Sequence, residues 1–164
     1  MKSTILLLIS LMLPACQFMQ SDDPSRLDFR LPAGSTLSLN KTVEIPAGKT
    51  HVLIQSGQPT TQRERNQYNL ACRLDFREFG QRSIEPEVFA IRRTEHREGW
   101  ESRPTTYFFE SEIFLDSEQG TDIIKMVCRT LVSWPGSNFS YADMQQTLGD
   151  YLTFNFNFPP PQSN

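Results

Sequence analysis

A two-residue rhythm constrains this chain more than any other feature. Tyr107, Phe109, Ser111, Ile113 and Leu115 alternate with Thr106, Phe108, Glu110, Glu112 and Phe114. A period of two sends successive side chains to opposite faces of an extended strand, whereas a helix repeats its apolar positions three and four residues apart. One face here is apolar, and Glu110 and Glu112 mark the other as polar. The rhythm returns at 68–76, where Cys72, Leu74 and Phe76 share a face, and at 123–134, where Met126, Cys128 and Thr130 do. It returns again at 151–158 with Leu152, Phe154, Phe156 and Phe158. Another long strand is expected over 83–94. Pro86 cannot donate to a ladder, so that strand should lie at an edge or carry a bulge there.

Shorter β-rich runs at 35–39, 42–45 and 50–55 come first, separated by turn signals such as Pro46-Ala47-Gly48. A polar loop follows over 56–67, containing Arg63-Glu64-Arg65. Turn-like connections between the four long segments favour an antiparallel meander as the main sheet. After Trp134-Pro135-Gly136 the pattern changes. Ser140, three residues before Asp143, reads as a capping box that opens a helix to Leu148, ahead of Gly149. The expected fold is all-β (or a β-dominated α+β arrangement). It is an antiparallel, β-sandwich-like single domain with one short C-terminal helix.

Cysteine usage points to an oxidising compartment. Cys72 and Cys128 both fall within strands, on mainly apolar faces. Such a pair is expected to form a disulfide; the alternative is two buried free thiols. A bridge closing a loop of that length stabilises by about 4 kcal/mol in the chain-entropy model. The third cysteine, Cys16, follows Lys2, an apolar run from Ile5 to Leu13, and the small residue Ala15. A charged start, a short apolar run and a small residue at the cut describe a secretory signal peptide. The run is too short to span a bilayer as a helix, which needs roughly 20 residues.

Leu13-Pro14-Ala15-Cys16 resembles the lipobox of bacterial lipoproteins. That resemblance implies a diacylglycerol on the Cys16 thiol, cleavage before it and further acylation (palmitate-type chains). Gln17 in place of Asp implies sorting to the outer membrane, with the domain on the periplasmic face. The expected organisation is a signal peptide over 1–15, a lipidated flexible tether over 16–30, a β-rich domain over 31–158 and a Pro-rich tail over 159–164. Of 164 residues, 149 would remain after cleavage, the size of one ordinary domain. The formal net charge is −3, which argues against a nucleic-acid partner.

Chemistry-bearing motifs are scarce. His51 and His96 lack metal-ligand spacing and read as solvated side chains. The segment Asp116-Ser117-Glu118-Gln119-Gly120-Thr121-Asp122 alternates carboxylates around a glycine. It departs from the EF-hand order and reads as a solvated turn without metal. Asn40-Lys41-Thr42 and Asn138-Phe139-Ser140 match a glycosylation sequon by chance. No catalytic residue and no cofactor are assigned. A candidate binding loop is formed by Arg92, Arg93, Arg97, Trp100 and Arg103, read as part of a hairpin loop over 95–103. Arginine forks suit phosphate or carboxylate groups, and Arg and Trp are enriched at binding hot spots. Glu95, Glu98 and Glu101 interleave with those arginines and can pair with them instead.

The runs Leu31-Pro32-Ala33-Gly34-Ser35, Val43-Glu44-Ile45-Pro46-Ala47-Gly48 and Val52-Leu53-Ile54-Gln55-Ser56-Gly57, then Tyr68-Asn69-Leu70-Ala71-Cys72 and Ile84-Glu85-Pro86-Glu87-Val88-Phe89, resemble small uncharacterised lipoproteins of gammaproteobacteria. The resemblance covers roughly residues 27 to 134 and implies location and β-rich form, without a catalytic residue. The functional expectation is a membrane-anchored, non-catalytic binding or scaffolding module of the cell envelope, with an envelope protein or glycan as partner. The alternative is an envelope hydrolase or glycan-modifying enzyme whose site is assembled from distant residues.

Overall fold

The computed structural model describes residues 21–101, 106–133 and 138–158. Among them the chain forms β1 (Thr36–Leu39), β2 (Val43–Ile45), β3 (His51–Gln55), β4 (Gln58–Thr60), β5 (Ala71–Phe76), β6 (Arg82–Ile84), β7 (Glu87–Trp100), β8 (Tyr107–Ser117), β9 (Ile123–Val132), α1 (Tyr141–Leu148) and β10 (Leu152–Asn155). Eight strands join one antiparallel sheet in the order β10-β1-β7-β8-β9-β5-β3-β4, and β2 pairs with β6 in a separate ribbon. The fold is thus the expected all-β antiparallel domain with one short helix, its large sheet curled on itself.

Curling follows from where the apolar faces meet. Leu37, Phe89, Ile113, Met126, Leu74 and Ile54 come from six strands, β1 to β3 by way of the sheet centre. All are fully buried in one core cluster. Met144 and Leu148 of α1 enter the same cluster beside Leu152 of the edge strand β10. The helix touches β10 on one side and β5 and β3 on the other, filling the opening that the curled sheet leaves. Its start is the capping box read from the sequence: Ser140 Oγ accepts from Asp143 N–H, and the Asp143 carboxylate accepts from Ser140 N–H.

Two details seat the helix. Gly57 N–H donates to Thr147 C=O at 2.8 Å, and a Cβ on Gly149 would stand 2.7 Å from Gly57 Cα. Gly149 also has φ near +57°, so a side chain is excluded both by space and by backbone conformation. The Gln145 side chain meanwhile donates to Leu152 C=O at 2.9 Å and accepts from Phe154 N–H at 2.9 Å. One amide side chain thereby stands in for a neighbouring strand along the free edge of β10, a position that otherwise invites edge pairing.

Several sequence expectations are revised by pairing partners far along the chain. The four long segments are not a simple meander: β7, β8 and β9 are consecutive neighbours, but β5 lies beyond β9. The expected strand over 83–94 is two strands. Pro86 marks the point where the chain leaves the β2–β6 ribbon and enters the main sheet. The hairpin loop expected over 95–103 is mostly strand, because β7 pairs with β8 as far as Trp100↔Tyr107. A bulge between Ile91 and Arg93 interrupts that pairing. The segment over 68–76 becomes strand only at Ala71, and the expected loop over 56–67 contains β4.

Cys72 and Cys128 are direct cross-strand partners on β5 and β9 and form the expected disulfide, with Cα atoms 4.0 Å apart. Residues 23–30, expected within the tether, are docked instead. Ala142 N–H donates to Pro24 C=O at 3.1 Å. Phe29 is 2% exposed, with its ring edge-on to Tyr141 and Phe156. An aromatic side chain at this depth holds its backbone to the domain.

Candidate functional site

The outer face of the sheet carries a cross-strand charge ladder, and the sequence-predicted arginines fall mostly within it. The bulge at Arg92 reverses the alternation of β7. Ile91 lies opposite the inward Leu115, whereas Arg93 lies opposite the outward Phe114. A one-residue shift exchanges the two faces of everything downstream. Arg93, Glu95 and Arg97 consequently point outward. Arg93 pairs with Glu95 and stacks 3.7 Å from the Phe114 ring centroid. Arg97 lies 3.6 Å from Glu95 and 3.5 Å from Glu112. Arg92 reaches Asp116 at 3.6 Å.

Trp100 is 55% exposed and meets Tyr107 edge-on. Arg103 lies outside the described residues, as does Cys16. The structure therefore does not gather the predicted residues into one loop, and each described arginine among them has an acidic partner. The expected polar face of β8 is confirmed with one surprise: Glu112 is only 4% exposed. Lys125 covers it, with Nζ 2.6 Å from Oε1.

One arginine breaks the balance. Arg65 is half-buried and makes no side-chain hydrogen bond or ion pair with the described residues. Partial burial, and then the charge of Arg73, lower its pKa. The same influences, with Arg65 itself, act on Arg129. Arg129 is held by Glu101 and lies 3.6 Å from Glu110, and Arg73 pairs with Asp75 at 2.6 Å. Arg65 and Arg129 line a polar cleft of about 370 Å³ with Gln67, Tyr68, Glu101 and Thr106.

The loop that carries Arg65 is built by side chains. Thr61 C=O accepts from Arg65 N–H at 3.0 Å. Gln55 Nε2 donates to Asn66 C=O at 2.8 Å, and Gln55 Oε1 accepts from Asn66 N–H at 2.9 Å. Farther on, Thr130 Oγ1 donates to Tyr68 C=O at 3.1 Å. Tyr68 is left 53% exposed at the rim. Sequence reading assigned this stretch to a polar loop; the charge pattern Arg63-Glu64-Arg65 was the available signal. What it lacked was Arg129, brought 64 residues closer by strand pairing.

A second hollow, of about 240 Å³, opens between residues 26–30, β7, β8 and α1. Ser111 lies against it and is 1% exposed, and its Oγ has no hydrogen-bond partner among the described residues. His96, its direct partner across β7 and β8, also lines the hollow. Partial burial and the charge of Arg30 lower the His96 pKa below its usual 6.5. His51 is likewise lowered, by burial first and then by Arg73. Burial raises the pKa of Tyr141, which also lines the hollow.

Among the described residues no group of three or more His, Cys, Asp or Glu side chains is arranged to hold a metal ion. In the turn considered for calcium, Asp122 is taken up by Arg82 at 2.8 Å, while Ser117 and Thr121 donate to Glu87. No family model, curated protein or solved structure matches this chain.

Proposed function

We propose that the chain is a lipid-anchored cell-envelope protein that acts as a non-catalytic binding module, using the Arg65–Arg129 cleft to engage an acidic group on a partner protein. The carrying observation is Arg65, a half-buried cation without an acidic partner among the described residues, facing a second arginine across a polar cleft. A guanidinium in that position recovers its lost hydration when a carboxylate or phosphate completes the pairing. Tyr68 at the rim supplies aromatic contact area of the kind enriched at binding hot spots. The address rests on Leu13-Pro14-Ala15-Cys16. The Cys72–Cys128 bridge agrees with it, since such bonds persist in oxidising compartments. The hydrolase alternative has a weaker footing, because Ser111 and His96 face each other without the hydrogen bond that activates a nucleophile.

In-cell photocrosslinking tests this reading. With p-benzoylphenylalanine in place of Thr106, the anchored protein should yield a discrete protein adduct. Arg65→Glu should abolish the adduct, and Cys16→Ser should remove it together with membrane attachment. An adduct indifferent to Arg65→Glu would contradict the cleft assignment. Adducts made only with glycan would replace the protein partner by a saccharide one.

A further inference from the structure

We infer that the anchored domain rests on the lipid bilayer through the surface formed by residues 21–30 and 156–158, with Leu27 and Phe158 seated among the headgroups. The inference rests on the lipid anchor at Cys16 taken in the proposed function, and adds an orientation to it. The first argument is reach. Arg26 N–H donates to Asp23 C=O at 3.1 Å, Ser25 N–H donates to the Asp23 carboxylate at 2.9 Å, and Pro24 C=O is held by Ala142 of α1. Five peptide units, from Cys16 to Ser21, then separate the acylated residue from the docked segment. Fully extended, they span at most about 18 Å, against about 50 Å had all of 16–30 been free. A domain of this length is roughly 35–40 Å across, so its far end cannot reach the membrane on such a lead.

The second argument is what that surface presents. Leu27 is 59% exposed and Phe158 40% exposed, and both flank the buried Phe29. Leu27 lies two residues before Phe29, and the Phe158 ring stands 6.3 Å from the Phe29 ring. Phe29 is itself locked edge-on to Tyr141 and Phe156, so the two exposed side chains sit on fixed backbone rather than on loose ends. Leucine and phenylalanine are residues that enter the boundary between headgroups and acyl chains. Within 21–30, Asp22, Asp23 and Asp28 stand against Arg26 and Arg30, and Arg26 pairs with Asp28 at 2.9 Å. A surface so close to charge balance suits a zwitterionic headgroup layer.

Strand register identifies the end turned away from the lipid. Asn155, Thr36 and Ala90 align across β10, β1 and β7 at the end from which Phe156 and Phe158 follow, and Leu152, Leu39 and Glu87 align at the other. The β8–β9 turn belongs to that other end, since Ser117 pairs with Phe89. Phe79, 73% exposed, is held there too: Arg77 N–H donates to Asp122 C=O at 3.0 Å and Gly80 N–H to Lys49 C=O at 3.1 Å. The Arg65–Arg129 cleft opens on the outer face of β8 and β9, whereas residues 26–30 pack towards Ser111 on the inner face. Contact with lipid therefore leaves the cleft clear.

The test uses the full chain, processed in a bacterium and reconstituted into vesicles of phosphatidylethanolamine and phosphatidylcholine. Nitroxide labels are placed singly at Leu27→Cys, Phe158→Cys and Phe79→Cys, and their collisions with oxygen and with a water-soluble nickel chelate are measured by electron paramagnetic resonance. The oxygen-to-nickel ratio is expected to be several-fold higher at positions 27 and 158 than at 79. Adding Leu27→Glu to the label at 158 should bring its ratio down to that at 79, with flotation and the melting curve unchanged. Flotation of the protein with the vesicles reads the anchor separately. A protein that does not float would remove the anchor and this inference with it. Flotation with equal ratios at all three positions, or a higher one at 79, would overturn the inference alone. So would low accessibility to both reagents at 27 and 158, which would assign the surface to a protein contact.

Discussion

Adjacent residues of β8, Ser111 and Glu112, are buried almost equally, at 1% and 4% exposure, yet the two faces treat them differently. On the outer face the Glu112 carboxylate is met by Lys125 at 2.6 Å and approached by Arg97. On the inner face the Ser111 hydroxyl has no hydrogen-bond partner among the described residues. The difference follows from magnitude. A buried unpaired charge costs several kcal/mol and is not tolerated, whereas a spare hydroxyl costs about 1–3 kcal/mol, a burden a domain can carry. The outer face is therefore an electrostatically closed ladder with one open rung at Arg65. The inner end is an apolar core with one unspent donor.

The strongest way to break this contrast is on the outer face. Lys125→Met should lower unfolding stability by about 2 kcal/mol in a denaturant titration, since it strands the Glu112 carboxylate with only Arg97 nearby. Adding Glu112→Gln should recover most of the loss. Wild-type stability in Lys125→Met would mean that the ladder is not what keeps Glu112 buried.

A second carboxylate tests the same rule at the β8–β9 turn. Burial pushes the Asp122 pKa up, but hydrogen bonds from Glu78 N–H and Arg82 outweigh it and leave the pKa lowered from 3.8. Its contribution is thus present above the unfolded-state value and is lost as pH falls through the lower folded value. Asp122→Asn should cost about 1–2 kcal/mol at pH 7. The gap from wild type should close as both are titrated to strongly acidic pH. A constant gap across that range would rule out the charge as its origin.

The smallest effect belongs to the inner face and has the opposite sign. Ser111→Ala should raise stability by up to about 1 kcal/mol, because a partnerless buried hydroxyl is removed with little change of volume. A loss of more than that in thermal unfolding would reveal a structural partner for Ser111.

Legibility from sequence divided along physical lines. The capping box at Ser140 and Asp143, and the apolar face of β8, were readable because they depend on residues within a few positions of one another. The disulfide was readable in kind, since Cys72 and Cys128 lay on apolar strand faces. The charged stretch from Glu95 to Trp100 was mistaken for a loop. Its polar residues are explained by a wet outer face and by cross-strand acids and bases, which local composition does not display. The docked segment at Phe29 was missed for a similar reason: the aromatic partners Tyr141 and Phe156 are more than 100 residues away.

The amino-acid order by itself determined an antiparallel, disulfide-bonded β domain with one capped helix, because alternation, turn residues and caps act over short distances. Only the tertiary structure decided which face each charged residue of β7 would take. The single bulge at Arg92 reverses the alternation, sending Arg93 and Arg97 out into the ladder and His96 in towards Ser111. A bulge is a mismatch between two strands, so its consequence exists only once the partner strand is in register.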